Sequence, residues 1–332
     1  MKSLPLGKLP IRVLNRTVLK MTGASSAFLA TPPKAGLDFA AIRMAGGFLL
    51  ISADPITGVT SDIGKYAVQV SANDVATSGN RPQFAESILL LPEGSTEGEV
   101  ASVARQMDGA AKKLGIAIVG GHTEVTPGIK KPIVAVTTFC IAKEFVTSAD
   151  ALTGDVIMMT KTAGLEGTAA IAGDPPGLLA PLPKGVISRG KAMLDRLSVV
   201  EDAALAFATG RVNAMHDCTE GGVLGATYEM SLASGLGFRL YEQEVPVARE
   251  TSTICRALSI DPLKLIGSGA LLLSVKKGGE SDLKRALKGV CEVAAVGEFT
   301  RRGRVLVHPD GSESRVASAP EDELWRVLEV SG

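Results

Sequence analysis

The sequence is short of cysteine, and no two of its cysteines stand close together. Cys140, Cys218, Cys255 and Cys291 are scattered singly, with no C-x-x-C pair. This argues against a zinc site and against a disulfide framework, and points to a reducing cytoplasm. The four read instead as small buried hydrophobes. An excess of either charge is also missing, because 35 Lys+Arg balance 35 Asp+Glu. No general field then draws the chain to nucleic acid or to an acidic membrane, and any phosphate binding has to be local. Long hydrophobic runs are absent too. FLLIS and SILLLP are strand-length and far too short to span a bilayer, and MKSLPLGKLPIRVLNRTVLKM lacks the continuous apolar core of a signal peptide.

What is present suits a globular protein of two domains. The 332 residues exceed the usual size of one core, and 45% hydrophobic with 21% charged residues is ordinary for such a chain. Residues 1–37, rich in Gly, Pro, Ser and Thr, read as a mobile segment. A first domain is expected over 38–147 and a second over 148–332, with the change of unit near TSADALTGD (147–155). Strands are expected at GGFLLISAD (46–54), SILLLP (87–92), IAIVGG (116–121) and KPIVAVTTFCIAK (131–143). Between them lie a helix from Gly64 to Ser78, stopped by Gly79, and a helix opened by a Thr96–Glu99 capping box and stopped by Gly115. In the second half VIMMT, NAMHD, GFRLY, ALLLSV, CEVAAVGEF and GRVLVH read as strands alternating with helices. The pattern predicts α/β or α+β architecture in both halves.

Several stretches could carry chemistry. Asn73 and Asp74 interrupt a helix of small apolar residues. A carboxylate on such a packed face needs a partner, whether a Lys, an Arg, a helix N-terminus or a metal ion. Asp38 in AGLDFAAI and Asp54 at the end of LLISAD also have small or apolar neighbours. Hard oxygen ligands of this kind suit Mg²⁺ together with the phosphates of a nucleotide. In IVGGHTEVTPG (118–128) a strand runs into a turn at Gly120-Gly121, where backbone N–H groups could approach an anion, followed by His122, Thr123 and Glu124. The alternative is a plain tight turn with exposed polar residues. In MHDCTEGGVLGA (215–226) a strand delivers His216-Asp217 to glycines that open a helix. This is a generic phosphate site, unless Asp217 or Thr219 merely caps that helix. GVISRGKA (185–192) fits G-x-x-x-x-G-K, but Ala192 stands where Ser or Thr must reach Mg²⁺, so it reads as an ordinary helix start.

Taken in order, LDFAAI, LLISADPIT, DIGKYAVQVSANDVATSGNRP, IVGGHTEVTPG, MHDCTEGGVLGA and DPLKLIGSGALLLSV resemble the AIR synthase-like ATP-binding superfamily. It includes aminoimidazole ribonucleotide synthetase, the hydrogenase maturation factor HypE, selenophosphate synthetase and thiamine-monophosphate kinase. The resemblance implies a two-domain fold that forms a homodimer through the N-terminal sheet, with ATP and Mg²⁺ as cofactors. It makes Asp38, Asp54 and Asp74 metal ligands, and Lys34, Asn73, Asp74, Gly120, Gly121 and Thr123 nucleotide-binding. His122 and Glu124 become catalytic candidates, His122 standing where relatives often carry an acid. The implied activity is a ligase- or dehydratase-type reaction in which ATP activates an amide or carbonyl oxygen of an unassigned acceptor. The alternatives are a small-molecule kinase and a non-catalytic ATP-binding maturation partner. The stretches look most like the HypE branch. HypE, however, acts on a cysteine at its own C-terminus, and here the last cysteine is Cys291 and the sequence closes WRVLEVSG. A protein partner is a further expectation, whereas nucleic acid and membrane are not.

Overall fold

Residues 3–174 and 177–331 are described by a computed structural model. A short helix, α1 (Ile11–Arg16), comes first. The first sheet holds β1 (Ala40–Met44), β2 (Gly47–Ile56), β3 (Phe84–Leu91), β4 (Ala117–Val125) and β5 (Ile133–Ala142), in the spatial order β1-β2-β5-β3-β4. All its pairings are antiparallel except β3 with β4. Two helices belong to this half, α2 (Ile63–Ala76) and α3 (Glu97–Leu114). The Thr96–Glu99 capping box that opens α3 is formed: Thr96 Oγ1 accepts from Glu99 N at 3.3 Å and Glu99 Oε2 accepts from Thr96 N at 2.7 Å. Gly115, at φ 72°, ends the helix in the left-handed conformation.

The second half carries β6 (Val156–Thr160), α4 (Leu165–Gly173), α5 (Lys184–Ala192), α6 (Val200–Ala208), β7 (Val212–Asp217), α7 (Gly222–Ser234) and β8 (Gly237–Tyr241). It continues with α8 (Arg249–Leu258), β9 (Leu271–Val275), α9 (Glu280–Ala286), β10 (Val293–Thr300), β11 (Arg304–Val307), β12 (Glu313–Arg315) and α10 (Glu323–Ser331). Its seven strands run β12-β11-β8-β10-β6-β9-β7. The G-x-x-x-x-G-K stretch falls on α5. It follows a three-ten turn rather than a strand, so it lacks the strand–loop–helix setting of a P-loop. Part of GLEGTAAIAGDPPG, Pro175 and Pro176, lies outside the described residues.

The helix α2 explains its own composition. Every residue of it except Lys65 is buried. It packs on β2 and β5 from one side and meets α3 and α6 on others. A helix enclosed on all sides has no solvent face, and its Ala and Val side chains allow close approach. One apolar cluster runs through both halves by way of α2, from Tyr66, Val68 and Val70 to Met158, Leu165, Ala203 and Met215. Asn73, fully buried, fastens the two halves: its Nδ2 donates to Leu197 O at 2.7 Å and its Oδ1 accepts from Val199 N at 2.8 Å. A buried ion pair ties elements of the second half to one another. Lys161 Nζ lies 2.6 Å from Asp202 and donates to the Ser198 and Gly269 carbonyls at 2.8 and 2.9 Å.

Two local expectations need correction. Gly120 and Gly121 do not make a turn; β4 runs straight through them to Val125. A register shift leaves Val119 unpaired between the Ile118–Ala85 and Gly120–Glu86 pairs. Gly121 has φ 155°, and a Cβ there would lie 2.1 Å from Ser87 O, so glycine serves close strand contact rather than chain reversal. The segment before residue 38 is not loop throughout. It contains α1 and a three-ten turn at Val18–Lys20, and Leu29 bridges to Ile42.

Candidate active site

Three elements bring carboxylates together. Asp38 precedes β1. Ser52 and Asp54 stand two residues apart on β2 and therefore share a face of the sheet. Asp74 comes from α2, where Ser52 Oγ donates to its Oδ2 at 2.7 Å. A fourth carboxylate, Asp217 at the end of β7, completes the group from the second domain. Asp38 and Asp217 together with His216 place their ligand atoms within 4.8 Å of one another.

The electrostatics are severe. Burial and the nearby Asp54, Asp217 and Asp38 push the Asp74 carboxyl well above the usual range. Burial and the Asp38 charge push Asp217 up to about 8. Asp217 is fully buried, and neither of its oxygens has a hydrogen-bond partner; Asp38 Oδ2 is also unpartnered. An ionised carboxylate in that condition costs several kcal/mol or more. Asp217 beside Asp38, with the charges of Asp54 and Asp74 close by, needs protons or a cation, and hard oxygens of this kind are the donor chemistry of Mg²⁺. The residues present therefore fit the metal that the sequence resemblance implies.

His216 supplies one internal counter-charge. Its Nδ1 lies 2.5 Å from Asp38 Oδ1 and its Nε2 lies 3.1 Å from Glu229 Oε2. Burial alone would lower its pKa, but Asp38 and Glu229 outweigh that and raise it to about 10. Burial disfavours the Glu229 carboxylate; Lys8 and His216 overcome this and hold it down at about 2. Lys8 reaches in from the N-terminal segment, its Nζ donating to Thr219 Oγ1 at 2.8 Å and standing 3.6 Å from Glu229. Desolvation opposes its charge, and Glu229, Glu220, Asp54 and Asp217 more than restore it, so its pKa is raised.

A second polar group adjoins the first through Asp54, whose charge acts on both. Glu166, in the first turn of α4, is 5% exposed, with Oε2 unpartnered. Burial lifts its pKa to about 7, Ser268 opposes this, and Asp322, Glu220 and Asp54 add to it. Ser268 is fully buried with an unpartnered Oγ. Asp322 accepts from Gly221 N at 2.6 Å and from Leu324 N at 2.8 Å. Glu220 Oε2 accepts from Lys8 N at 2.7 Å and Trp325 Nε1 at 3.2 Å, tying the N-terminal segment to α10 beside the glycines that open α7.

Against the residues singled out in the sequence, the outcome divides. Asp38, Asp54 and Asp74 are brought together. Asn73 is committed to the backbone at Leu197 and Val199 rather than to a nucleotide. Lys34 is not over the carboxylates: its Nζ donates to Ala233 O at 2.6 Å, at the end of α7. The reason is packing, since Gly36 sits so close to α7 that a Cβ would lie 2.5 Å from Glu229 O. Gly120, Gly121, His122, Thr123 and Glu124 lie on the exposed edge strand β4. There His122 Nε2 and Glu124 Oε2 stand 3.0 Å apart, and Glu124 is held below its usual pKa by His122 and Thr126. Neither Asp217 nor Thr219 caps α7, whose N-cap position is Gly221 and which has no side-chain cap. Sequence reasoning passed over Lys8, Glu166 and Glu229, and read His216-Asp217 only as the approach to a phosphate site rather than as members of the carboxylate cluster. The last pair had a signal, an acid at a strand end just before a Gly-Gly helix entry.

The AIR synthase related protein family matches in both of its domains, the N-terminal domain over residues 36–142 and the C-terminal domain over 153–308. The carbamoyl dehydratase HypE of Cupriavidus necator is 28% identical over 294 residues, which cover 82% of this chain and 79% of that protein. A crystal structure of the hydrogenase maturation protein HypE in complex with ATP superposes with a TM-score of 0.72 at 21% identity, covering 97% of this chain and 98% of that one. AaThiL complexed with AMPPCP and TMP gives 0.74 at 19% identity, with coverage of 96% and 99%. At those identities the structures share the fold. With both domains matched in sequence and in three-dimensional arrangement, the chain belongs to the AIR synthase-related family.

Proposed function

We propose that this protein is an ATP-dependent enzyme that activates an amide- or carbonyl-type oxygen of an acceptor by phosphorylation, with Mg²⁺ held by Asp38, Asp54, Asp74 and Asp217. The observation that carries this reading is the fully buried Asp217 carboxylate, both oxygens unpartnered, among three further aspartates. A bound divalent cation would supply charge neutralisation for these groups and for the phosphates of the nucleotide. The chain's own part is positioning. Lys8 adds positive charge beside the cluster, protonated His216 stands between Asp38 and buried Glu229 and so fixes Asp38, and the glycines at 221–222 open α7 where an anion is favoured. Glu166, with a pKa of about 7, is suited to exchange a proton with the acceptor. The likeness to HypE bound to ATP and to AaThiL bound to AMPPCP supports a nucleotide in this cleft.

The same reading includes a homodimer. β4 is the exposed edge of the first sheet, and Ile118, Val119 and Val125 on it are 41%, 58% and 54% exposed, with Ile88 of β3 at 47%. An edge of this kind invites pairing with a second copy. His122 and Glu124 would then serve a site completed at the interface.

The test is calorimetric titration with ATP, with and without Mg²⁺, beside a phosphate-release assay on candidate amide acceptors. Mg²⁺-dependent binding that disappears in Asp74→Ala is expected, and unchanged binding in that variant would remove the metal assignment. A phosphorylated acceptor accumulating without phosphate release would replace the dehydratase-type reading by a kinase.

A further inference from the structure

We propose that a cavity of about 270 Å³ in the second domain is a binding site for a small phosphoryl-bearing anion, distinct from the carboxylate cluster. Its walls come from the α7–β8 turn at Gly235, the β10–β11 turn, and the chain leaving β12. Arg301, Arg302, Arg304 and Arg315 all line it. Among the described residues no carboxylate pairs with Arg301, Arg302 or Arg315. Four like charges around one concavity repel one another, and the guanidinium fork matches the oxygens of a phosphoryl group in pairs.

The cavity is built rather than incidental. Arg304 is fixed by donating from Nε to Ser231 Oγ at 2.7 Å and by lying over the Tyr228 ring, 4.9 Å from its centroid. The arginine-bearing turn is clamped against β8: Phe238 N donates to Gly303 O at 2.8 Å, and a Cβ on Gly237 would lie 2.0 Å from that same oxygen. Thr300 Oγ1 donates to Arg302 O at 3.0 Å. On the other wall Val316 N donates to Arg304 O at 2.9 Å. The backbone of the site and Arg304 are thereby preorganised, and the exposed side chains of Arg301, Arg302 and Arg315 order on the anion. The volume falls below the roughly 300–1,000 Å³ of pockets for drug-sized ligands, and three separate segments make it concave. Both features favour a small anion over an extended polyanion lying on a flat basic face.

The experiment uses the full chain and pyrophosphate as probe, in chelator so that the carboxylate cluster holds no cation. Isothermal titration is run on the unaltered protein, on Arg302→Ala/Arg315→Ala, on Arg302→Lys/Arg315→Lys and on Asp74→Ala. Binding is expected in the unaltered protein and in Asp74→Ala alike. The double alanine variant should bind at least about tenfold more weakly, because two charge-assisted contacts are lost. The double lysine variant, which keeps charge but not the fork, should fall between. Equal pyrophosphate affinity in the double alanine variant, with an unchanged melting temperature showing that it is folded, would overturn the site. Succinate binding as tightly as pyrophosphate would overturn the phosphoryl assignment.

Discussion

Replacing Asp217 by Asn should have opposite effects on the protein with and without divalent cation. Folding raises the Asp217 pKa from its ordinary 3.8 to about 8 through burial and the Asp38 charge. For an acid shifted upward the protonated form favours the fold. The favourable contribution is complete below pH 3.8 and is lost as pH climbs through about 8. A shift of that size corresponds to at most roughly 6 kcal/mol, and because the Asp217 charge is one of several in the cluster we expect the substitution to realise about 2–3 kcal/mol of it. Asn keeps the shape and removes the charge. In chelator at pH 8.5 the variant should therefore melt several degrees above the unaltered protein, at about 2–4 °C per kcal/mol. At pH 4 the two should coincide. Adding Mg²⁺ should then stabilise only the unaltered protein, by about 2.7 kcal/mol at one hundred times its dissociation constant. Scanning calorimetry at both pH values, with and without Mg²⁺, reads all of this. An Asn variant that is less stable in chelator at pH 8.5, or one that still responds fully to Mg²⁺, would refute the account of Asp217 as a charge awaiting a cation.

Other expected outcomes follow from the same geometry. Asn73→Ala removes both backbone contacts at Leu197 and Val199 and should cost about 2–4 kcal/mol in a denaturant titration; a cost under 0.5 kcal/mol would contradict its fastening role. Asp202→Ala strands the buried Lys161 ammonium and should cost about 3–5 kcal/mol, with Asp202→Asn losing less. Glu166→Gln should flatten the pH dependence of stability. The unaltered protein loses up to about 3 kcal/mol between pH 4.5 and 7, because Glu166 ionises in the unfolded chain while the buried carboxyl keeps its proton, and a variant with the same slope would exclude Glu166 as the cause. Gly121→Ala forces a side chain toward Ser87 O and should disturb β4. If two copies pair through β4 as proposed, light scattering should show more monomer in this variant, whereas an undisturbed dimer would remove β4 from the interface.

Local signals were readable where a residue acts on its chain neighbours. The Thr96–Glu99 box, the glycine stop at Gly115 and the alternation of β5 are satisfied within a few residues, so pattern alone locates them. The enclosure of α2 was legible for a similar reason, because small apolar residues on every face suit only a helix without a solvent side. The resemblance of ordered motifs then placed Asp38, Asp54 and Asp74 in one site.

Long-range commitments were decided only by the fold. Asn73 and Asp74 are neighbours in sequence, yet the helix points one amide at the second domain and one carboxylate at Ser52. Lys8 and Glu229 are separated by most of the chain, and nothing near either of them in sequence announces the pair. Gly120-Gly121 read as a turn because glycine permits one, while the constraint was the proximity of Ser87 on the adjoining strand. Composition and spacing thus determined the element types and the α/β character of both halves, and the resemblance singled out Asp38, Asp54 and Asp74. Which charges meet, which are left without partners, and which polar side chains join the domains depended on tertiary packing, because burial and electrostatic coupling are properties of distance in space.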